Sequence, residues 1–442
     1  MAKENLRALS LDVVMEVLEK QGFSNQVLNA VLSKYQYLEK QERSFISRLS
    51  LGTIENAFLL DEIINSYSKT KVKKQKPVIR NILRLSVYQI YFMDSVPESA
   101  IVNEAVKLAK KRGFSGLSGF VNGTLRAILR EEKPLKEYVG DSLSLSYSMP
   151  NWICEKWEKD YGKDRTREIL NGFSQDKGVT VRCDVTKIAP DKLKETLEAE
   201  GMRVFDTTIP YAFRIADYDY LEKSQSFRDG LFYVQDLSSM EVAEAAELFS
   251  GACVLDVCAA PGGKSIHMGE VLESLGGGSV EARDLSPDKV GIIEENIART
   301  GRKNVTARVF DAREFDASSE GKYDRVICDL PCSGLGVIGK KPEIKYRVQP
   351  EDILSLQKLQ REILTNAVRY VKPGGRLVYS TCTITREEND ENVKWLCENY
   401  PQLKLLTSTQ YFPEKNIRDG FYVAVFGVNA DISSAPSPLY LD

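Results

Sequence analysis

Histidine is almost missing from this chain: His267 is the single one in 442 residues. A Ser-His or Cys-His dyad is thereby excluded at every other position, since each needs an imidazole beside its nucleophile. His267 itself reads as a packing residue. Zinc-type spacing is absent as well. Cys328 and Cys332 stand four apart, but no second pair completes a ligand set, so no metal is expected. Eight cysteines over this length make no disulfide framework and point to a reducing compartment. No uncharged apolar run reaches membrane-spanning length, and Met1-Ala-Lys-Glu-Asn-Leu-Arg7 lacks the apolar core of a signal peptide. A cytoplasmic monomer without membrane association is the expectation.

What is present is the composition of a globular protein, with 43% hydrophobic and 28% charged residues, and material for two or three domains. The net charge of −3 hides an asymmetry. Residues 1–140 carry 22 Lys and Arg against 15 Asp and Glu, a surplus of seven that the remainder more than offsets. A basic front end suits a polyanionic partner, and equally a solvated helical surface.

Apolar residues recur at helical spacing through residues 1–135, as in Leu11, Val14 and Leu18, then Val78, Ile79, Ile82 and Leu83, then Ile101, Val102, Ala105 and Ala109. Gly22, Pro77, Pro97 and Gly113 fall between or at the ends of these stripes. An all-α domain is predicted there. Residues 136–150 lose the period and read as a linker, and 136–229 as that linker plus a small α+β subdomain, with strands at Val179–Cys183 and Ala212–Ile215. From 230 to 442 short apolar runs alternate with helical patterns, which predicts a doubly wound, Rossmann-like α/β sheet. Thr385-Arg-Glu-Glu388 reads as a capping box for a late helix.

The first strand of that alternation runs into Asp256-Val-Cys-Ala-Ala-Pro-Gly-Gly-Lys-Ser265. A glycine turn that opens a helix brings backbone N–H groups to a ligand. A Walker loop would need glycine where Cys258 stands, and Gly-x-Gly-x-x-Gly is absent. The remaining reading is an S-adenosylmethionine site made of Cys258, Ala259, Ala260, Pro261, Gly262, Gly263 and Lys264. Asp284, Asp311 and Asp329 each follow a successive strand. The first suits ribose hydroxyls and the second an adenine amino group, while Asp256 would order the glycine turn.

Two thiols arrive at the same edge. Cys332 ends Val326-Ile-Cys-Asp-Leu-Pro-Cys332, and Cys382 ends Leu377-Val-Tyr-Ser-Thr-Cys382. Two thiols so placed suggest covalent chemistry in which one attacks as thiolate and the other helps to undo the adduct. Residue types alone do not order the two. Cys154, Cys183, Cys253 and Cys397 read as small hydrophobes, and Cys258 and Cys328 as structural.

Asp329-Leu-Pro-Cys-Ser-Gly-Leu-Gly336 and Tyr379-Ser-Thr-Cys-Thr383, behind the Asp256–Lys264 loop, resemble the Sun/NOL1/NOP2 RNA cytosine-C5 methyltransferases. The helical front, with Arg43-Ser-Phe-Ile46, Gly52-Thr53 and Asp61, looks like a NusB-type RNA-binding domain, a combination similar to the bacterial 16S rRNA enzymes of that family. The resemblance covers nearly the whole chain. It implies methylation of carbon 5 of a cytosine in 16S rRNA at a 967-type site, with Cys382 as nucleophile, Cys332 assisting release and Asp329 on the cytosine N3/N4 edge. The family often has a histidine shortly before its C-terminal Asp-Gly-Phe; Pro413–Phe421 has none, which leaves Asn416 in that role. The same chemistry on tRNA or DNA, and a non-catalytic RNA-binding factor, stay open as alternatives. Lys340, Lys341, Lys345 and Arg347 are the basic residues expected to hold phosphates. The runs Lys69–Lys76 and Lys107–Arg112 suit RNA or solvent equally, and Trp152 and Trp157 suit domain packing better than base stacking.

Overall fold

Amphipathic stripes in the front third become helices that bury their apolar faces on one another. The computed structural model describes residues 4–131, 133–173, 178–218, 220–414 and 418–429. Contacts divide the chain into two units, one running to residue 174 and including Ile338–Val348, the other holding the rest.

The first unit is all-helical among its described residues. Helices Leu6–Lys20, Lys40–Glu55, Ala57–Tyr67, Pro77–Phe92, Glu98–Lys111 and Ser118–Glu131 enclose a core that includes Val14, Ile46, Leu60, Leu83 and Leu125. Proline opens the helix Pro77–Phe92, where a missing N–H and a fixed φ cost nothing. Residues 136–150 are not the expected linker. They form the short helices Leu135–Val139 and Leu143–Ser146; Tyr138 joins the core, and Ser148 accepts a hydrogen bond from the Leu59 N–H at 3.1 Å.

Ile338–Val348 brings a second correction. Lys345 is 2% exposed and its Nζ donates to the Glu55 carbonyl at 2.7 Å. Arg347 donates to the carbonyls of Val17 and Gly22, and Glu343 accepts from the Ser24 N–H at 3.1 Å. Lys345 and Arg347, expected on phosphates, are instead spent on backbone carbonyls of the helical unit. Lys341 remains exposed.

The second unit carries two sheets. Strands β1 (Val179–Cys183), β2 (Arg203–Asp206), β3 (Ala212–Ala216) and β4 (Phe232–Val234) form an antiparallel sheet in the order β2-β3-β1-β4. Buried ion pairs dock it on the larger domain: Arg182 on Glu270, and Arg302 on Asp184. Gln235 accepts from Arg182 Nε at 2.7 Å. Removing one partner from such a pair strands a buried charge.

Strands β5 (Ala252–Asp256), β6 (Gly278–Asp284), β7 (Val305–Val309), β8 (Tyr323–Asp329), β9 (Val371–Thr381), β10 (Leu403–Tyr411) and β11 (Phe421–Val428) pair in the order β10-β11-β9-β8-β5-β6-β7. β5 to β9 are mutually parallel, and β11 runs antiparallel between β9 and β10. Consecutive apolar residues fall on opposite faces: Leu255, Val326 and Leu377 enter one core, Val254, Ile327 and Val378 the other. That explains the unbroken apolar runs, because a sheet covered on both sides has no polar face. β10 was not anticipated, since this edge strand is mostly exposed and shows little alternation. The strand order reverses between β5 and β8, the crevice where open sheets bind ligands.

Burial lowers the Lys345 ammonium from its ordinary 10.5 to about 8, against the raising effect of Glu55. The cost of burying the charge is complete below pH 8 and is relieved as pH rises toward 10.5. Denaturant unfolding of wild type should therefore gain up to about 3 kcal/mol over that range relative to Lys345→Met. A pH-independent difference between the two would refute the buried charge.

Candidate active site

Each strand end around the crevice delivers a side chain. Asp256 closes β5, is 1% exposed, and accepts from Ser265 Oγ at 2.7 Å, so it ties the glycine turn to the helix that follows, as expected. Gly262 caps that helix, Gly263–Ser274, at φ 99°. An added Cβ there would be strained and would sit 3.2 Å from Ile293, which is why glycine is required. Asp284 closes β6. Its carboxylate accepts from the N–H groups of Ala260 (2.9 Å) and Leu285 (2.8 Å) and pairs with Lys289 at 3.0 Å. Asp311, two residues past β7, is held by Arg313 at 2.5 Å, and that guanidinium keeps its carboxyl below the ordinary range.

Asp329 closes β8. It pairs with Lys264 Nζ at 2.7 Å and accepts from Ser380 Oγ at 2.8 Å. Burial alone would lower the Lys264 ammonium, but the carboxylates of Asp329 and Asp256 and the Cys382 sulfur together hold it above its ordinary value. Lys264 is thus a fixed cation beside the thiol.

A cavity of about 450 Å³ runs along these strand ends, with Cys258, Ala260, Asp284, Asp311 and Asp329 in its wall together with Cys332 and Cys382. One continuous space therefore joins the acidic strand ends to both thiols. Ala259, Pro261, Gly262, Gly263 and Lys264 shape the turn from behind: Ala259 N–H donates to the Arg283 carbonyl at 2.8 Å, and the Pro261 carbonyl accepts from Tyr233 and Asn296. An acidic end, an apolar middle and a size of this order suit a nucleoside cofactor.

The two sulfurs lie 3.2 Å apart. The Cys332 thiol is pushed well above its ordinary value by its hydrogen bond with Cys382 and by burial, and then by the Cys382 charge. Gly336, four residues past Cys332, donates its N–H to the Cys382 carbonyl at 3.0 Å. A Cβ at Gly336 would stand 2.2 Å from the Gly420 carbonyl oxygen and 2.8 Å from that of Cys382, so the two turns touch backbone to backbone.

Glu388 departs from expectation. It does not cap a helix; the late helix is Asp390–Asn399, capped at Asn389. Glu388 lies fully buried behind the Cys332 turn and accepts from the Ser333 N–H at 2.8 Å. Its spacing from Thr385 suits a capping box equally well, and no local signal separates the two. Other candidates behave as packing. His267 lies buried against Tyr211 with ring centroids 5.8 Å apart, and burial drives its pKa well down. Burial pushes the thiols of Cys154 and Cys183 up to about 12, and Trp157 is enclosed against Phe173. Asn416 lies outside the described residues. Among the described residues no cluster of His, Cys, Asp and Glu could hold a metal ion, and no helix is long and apolar enough to cross a membrane.

The sheet order, the glycine turn and the acidic residues on successive strand ends define a class I S-adenosylmethionine-dependent methyltransferase. Family models agree: "16S rRNA methyltransferase RsmB/F" matches residues 245–427, the NusB family 4–130, and the ferredoxin-like domain of RsmF/B-type methyltransferases 149–218. The probable ribosomal RNA small subunit methyltransferase B of Bacillus subtilis (strain 168) is 35% identical, over 95% of both chains. The ribosomal RNA small subunit methyltransferase B of Proteus mirabilis (strain HI4320) is 29% identical over 95% of this chain and 98% of its own. Among solved structures, PH0851 superposes with a TM-score of 0.83 at 26% identity, covering 95% of this chain and 98% of its own. NSun6 from Pyrococcus horikoshii with SFG shares the fold at a TM-score of 0.57 and 23% identity, over 64% of this chain and 99% of its own. The chain belongs to the RsmB/F family of 16S rRNA methyltransferases.

Burial raises the Asp256 carboxyl from 3.8 to about 6, against the opposing hydrogen bond from Ser265. A raised acid favours the folded state only while protonated. Stability should fall as pH climbs from about 4 through 6, by about 3 kcal/mol relative to Asp256→Asn. Unfolding curves of the two proteins across that range check this, and parallel curves would refute it.

Proposed function

We propose that this protein transfers a methyl group from S-adenosylmethionine to carbon 5 of a cytosine in 16S rRNA through a covalent adduct on Cys382. The observation that carries this reading is the pair of sulfurs 3.2 Å apart in the cavity that also holds Asp284, Asp311 and Asp329.

Asp284, Asp311 and the Cys258–Ala260 backbone would hold the nucleoside part of the cofactor, which supplies an electrophilic methyl group when bound. The target base must leave its stack to reach a strand-edge cavity. Asp329, held by Lys264 and Ser380, accepts from the exocyclic amino group of the base. Cys382 adds as thiolate to carbon 6, and the Lys264 cation favours its charged form. Cys332 keeps its proton at this stage, because Cys382 raises its pKa. Once the Cys382 sulfur is bonded to carbon, that influence disappears and Cys332 ionises more readily. Having given its own proton to water, it can then take the proton from carbon 5 as the bond between Cys382 and carbon 6 breaks and Cys382 leaves as thiolate. The same pairing thus supports unequal roles for two identical thiols. The helical module, with its positive surplus, holds the RNA.

Cys382→Ala should abolish methyl transfer to 16S rRNA, whereas Cys332→Ala should accumulate a protein–RNA adduct stable on a denaturing gel. An adduct in the Cys382→Ala variant, or full activity there, would overturn the assignment. Asp284→Ala should weaken S-adenosylmethionine binding about 10- to 100-fold in calorimetry, having lost charge-assisted contacts worth about 1.5–3 kcal/mol; unchanged affinity would remove Asp284 from the site.

A further inference from the structure

The chemistry above leaves two neighbouring side chains without a role. Glu388 and Asn389 are enclosed, at 0% and 1% exposure. Among the described residues, the four donors on the Glu388 carboxylate are all neutral. The Ser333 N–H (2.8 Å) and Gln360 Nε2 (3.1 Å) bind Oε1, and the hydroxyls of Ser333 and Thr385 (both 2.6 Å) bind Oε2. Enclosing a carboxyl group without a cation is costly, and it is tolerated only where the donors are fixed in place.

The Ser333 N–H is the peptide that follows Cys332. The same Gln360 amide that reaches Glu388 also donates to the Pro331 carbonyl at 2.8 Å, the peptide that precedes Cys332. Both peptide groups around Cys332 are therefore gripped. Asn389 does the same for the other thiol: its Oδ1 accepts from Thr381 Oγ1 at 2.6 Å, and its Nδ2 donates to the Thr383 carbonyl at 3.1 Å. The residues before and after Cys382 are thus both tied to one side chain.

We infer that the Glu388-Asn389 pair positions the two thiols, Glu388 setting Cys332 and Asn389 setting Cys382. Because the two residues share one peptide bond, neither grip can shift without the other, and the sulfur separation is fixed from behind the site. Neither side chain touches the reacting atoms; both are positioning residues. The inference rests on the roles given above to the thiols, and it predicts that the two residues govern different steps. Loss of the Glu388 grip displaces Cys332 and delays release. Loss of the Asn389 grip displaces Cys382 and delays addition.

The test uses the full-length protein and two readouts. In the first, without RNA, diamide takes up the two thiol hydrogens as a Cys332–Cys382 disulfide forms, and peptide mapping follows the rate. That rate should fall about tenfold or more in Glu388→Ala and in Asn389→Ala, as expected when reacting groups lose their alignment. Glu388→Gln should restore it to within about threefold, because the amide oxygen still accepts from Ser333 N–H and the two hydroxyls can turn to accept from the new amide. In the second, with 16S rRNA and S-adenosylmethionine, Glu388→Ala should accumulate adduct as Cys332→Ala does, while Asn389→Ala should form less of it than wild type. Wild-type disulfide rates in both alanine variants, no rescue by glutamine, or an equal slowing of both steps would overturn the inference. Should thermal melting show Glu388→Ala unfolded, Glu388→Asp replaces it with the same expectations, since its shorter carboxylate cannot reach Ser333. If the single-cysteine controls reverse the adduct pattern while the disulfide rates change as expected, the thiol roles fail and the positioning stands.

Discussion

Parallel pairing of β8 with β9, in a register that sets Asp329 opposite Ser380, is the constraint on which the site depends. Cys332 and Cys382 are fifty residues apart, and nothing local brings them together. The register carries both strands to the same edge at the same height, so that their turns meet at Gly336 and Cys382. A slip of one residue would turn every side chain of one strand to the other face and would send Ser380 away from Asp329. The apolar runs on both faces of the sheet resist that slip, because Val326 and Ile327, like Leu377 and Val378, each have a core to fill.

On that frame the electrostatics become specific. Lys264 pairs with Asp329, whose residue lines the cavity, and Asp256 lies fully enclosed nearby. Burial disfavours charge on Lys264 and on Asp256, and the neighbouring carboxylates hold the Lys264 ammonium above its ordinary value. The thiols divide by the same logic. They are chemically identical and in contact, so they do not ionise together, and each one's state governs the other's. A reaction that needs first a thiolate and then a base can use such a pair in sequence.

Support for the site comes from parts of the chain with no chemistry of their own. The four-stranded sheet is anchored through Arg182 and Arg302 to the methyltransferase domain, which ties β1 to the helices beside the glycine turn. Behind the thiols, Glu388 and Asn389 fill a polar pocket whose donors all belong to the two cysteine turns or the helix next to them. Lys345 and Arg347 follow the Cys332 turn closely in sequence yet belong to the helical unit.

Much of this was legible in the residues alone. Apolar runs ending in aspartate marked the strands and the ligand edge, because a buried parallel strand has no polar face and its end is where a carboxylate can meet a ligand. The glycine turn, Asp284, Asp329 and both thiols stood out because they stand at the ends of successive apolar runs, a pattern visible along the chain itself. What escaped was whatever depends on partners distant in sequence. Lys345 looked like a phosphate ligand until the fold buried it against the Glu55 carbonyl, and residues 136–150 looked like a linker until Tyr138 entered a core. Glu388 carried the spacing of a helix cap and proved to be a buried acceptor. Periodicity and turn chemistry are local properties and can be read from neighbours in the chain. Burial, pKa and the separation of two sulfurs are set by groups tens or hundreds of residues away, and only the tertiary structure decides them.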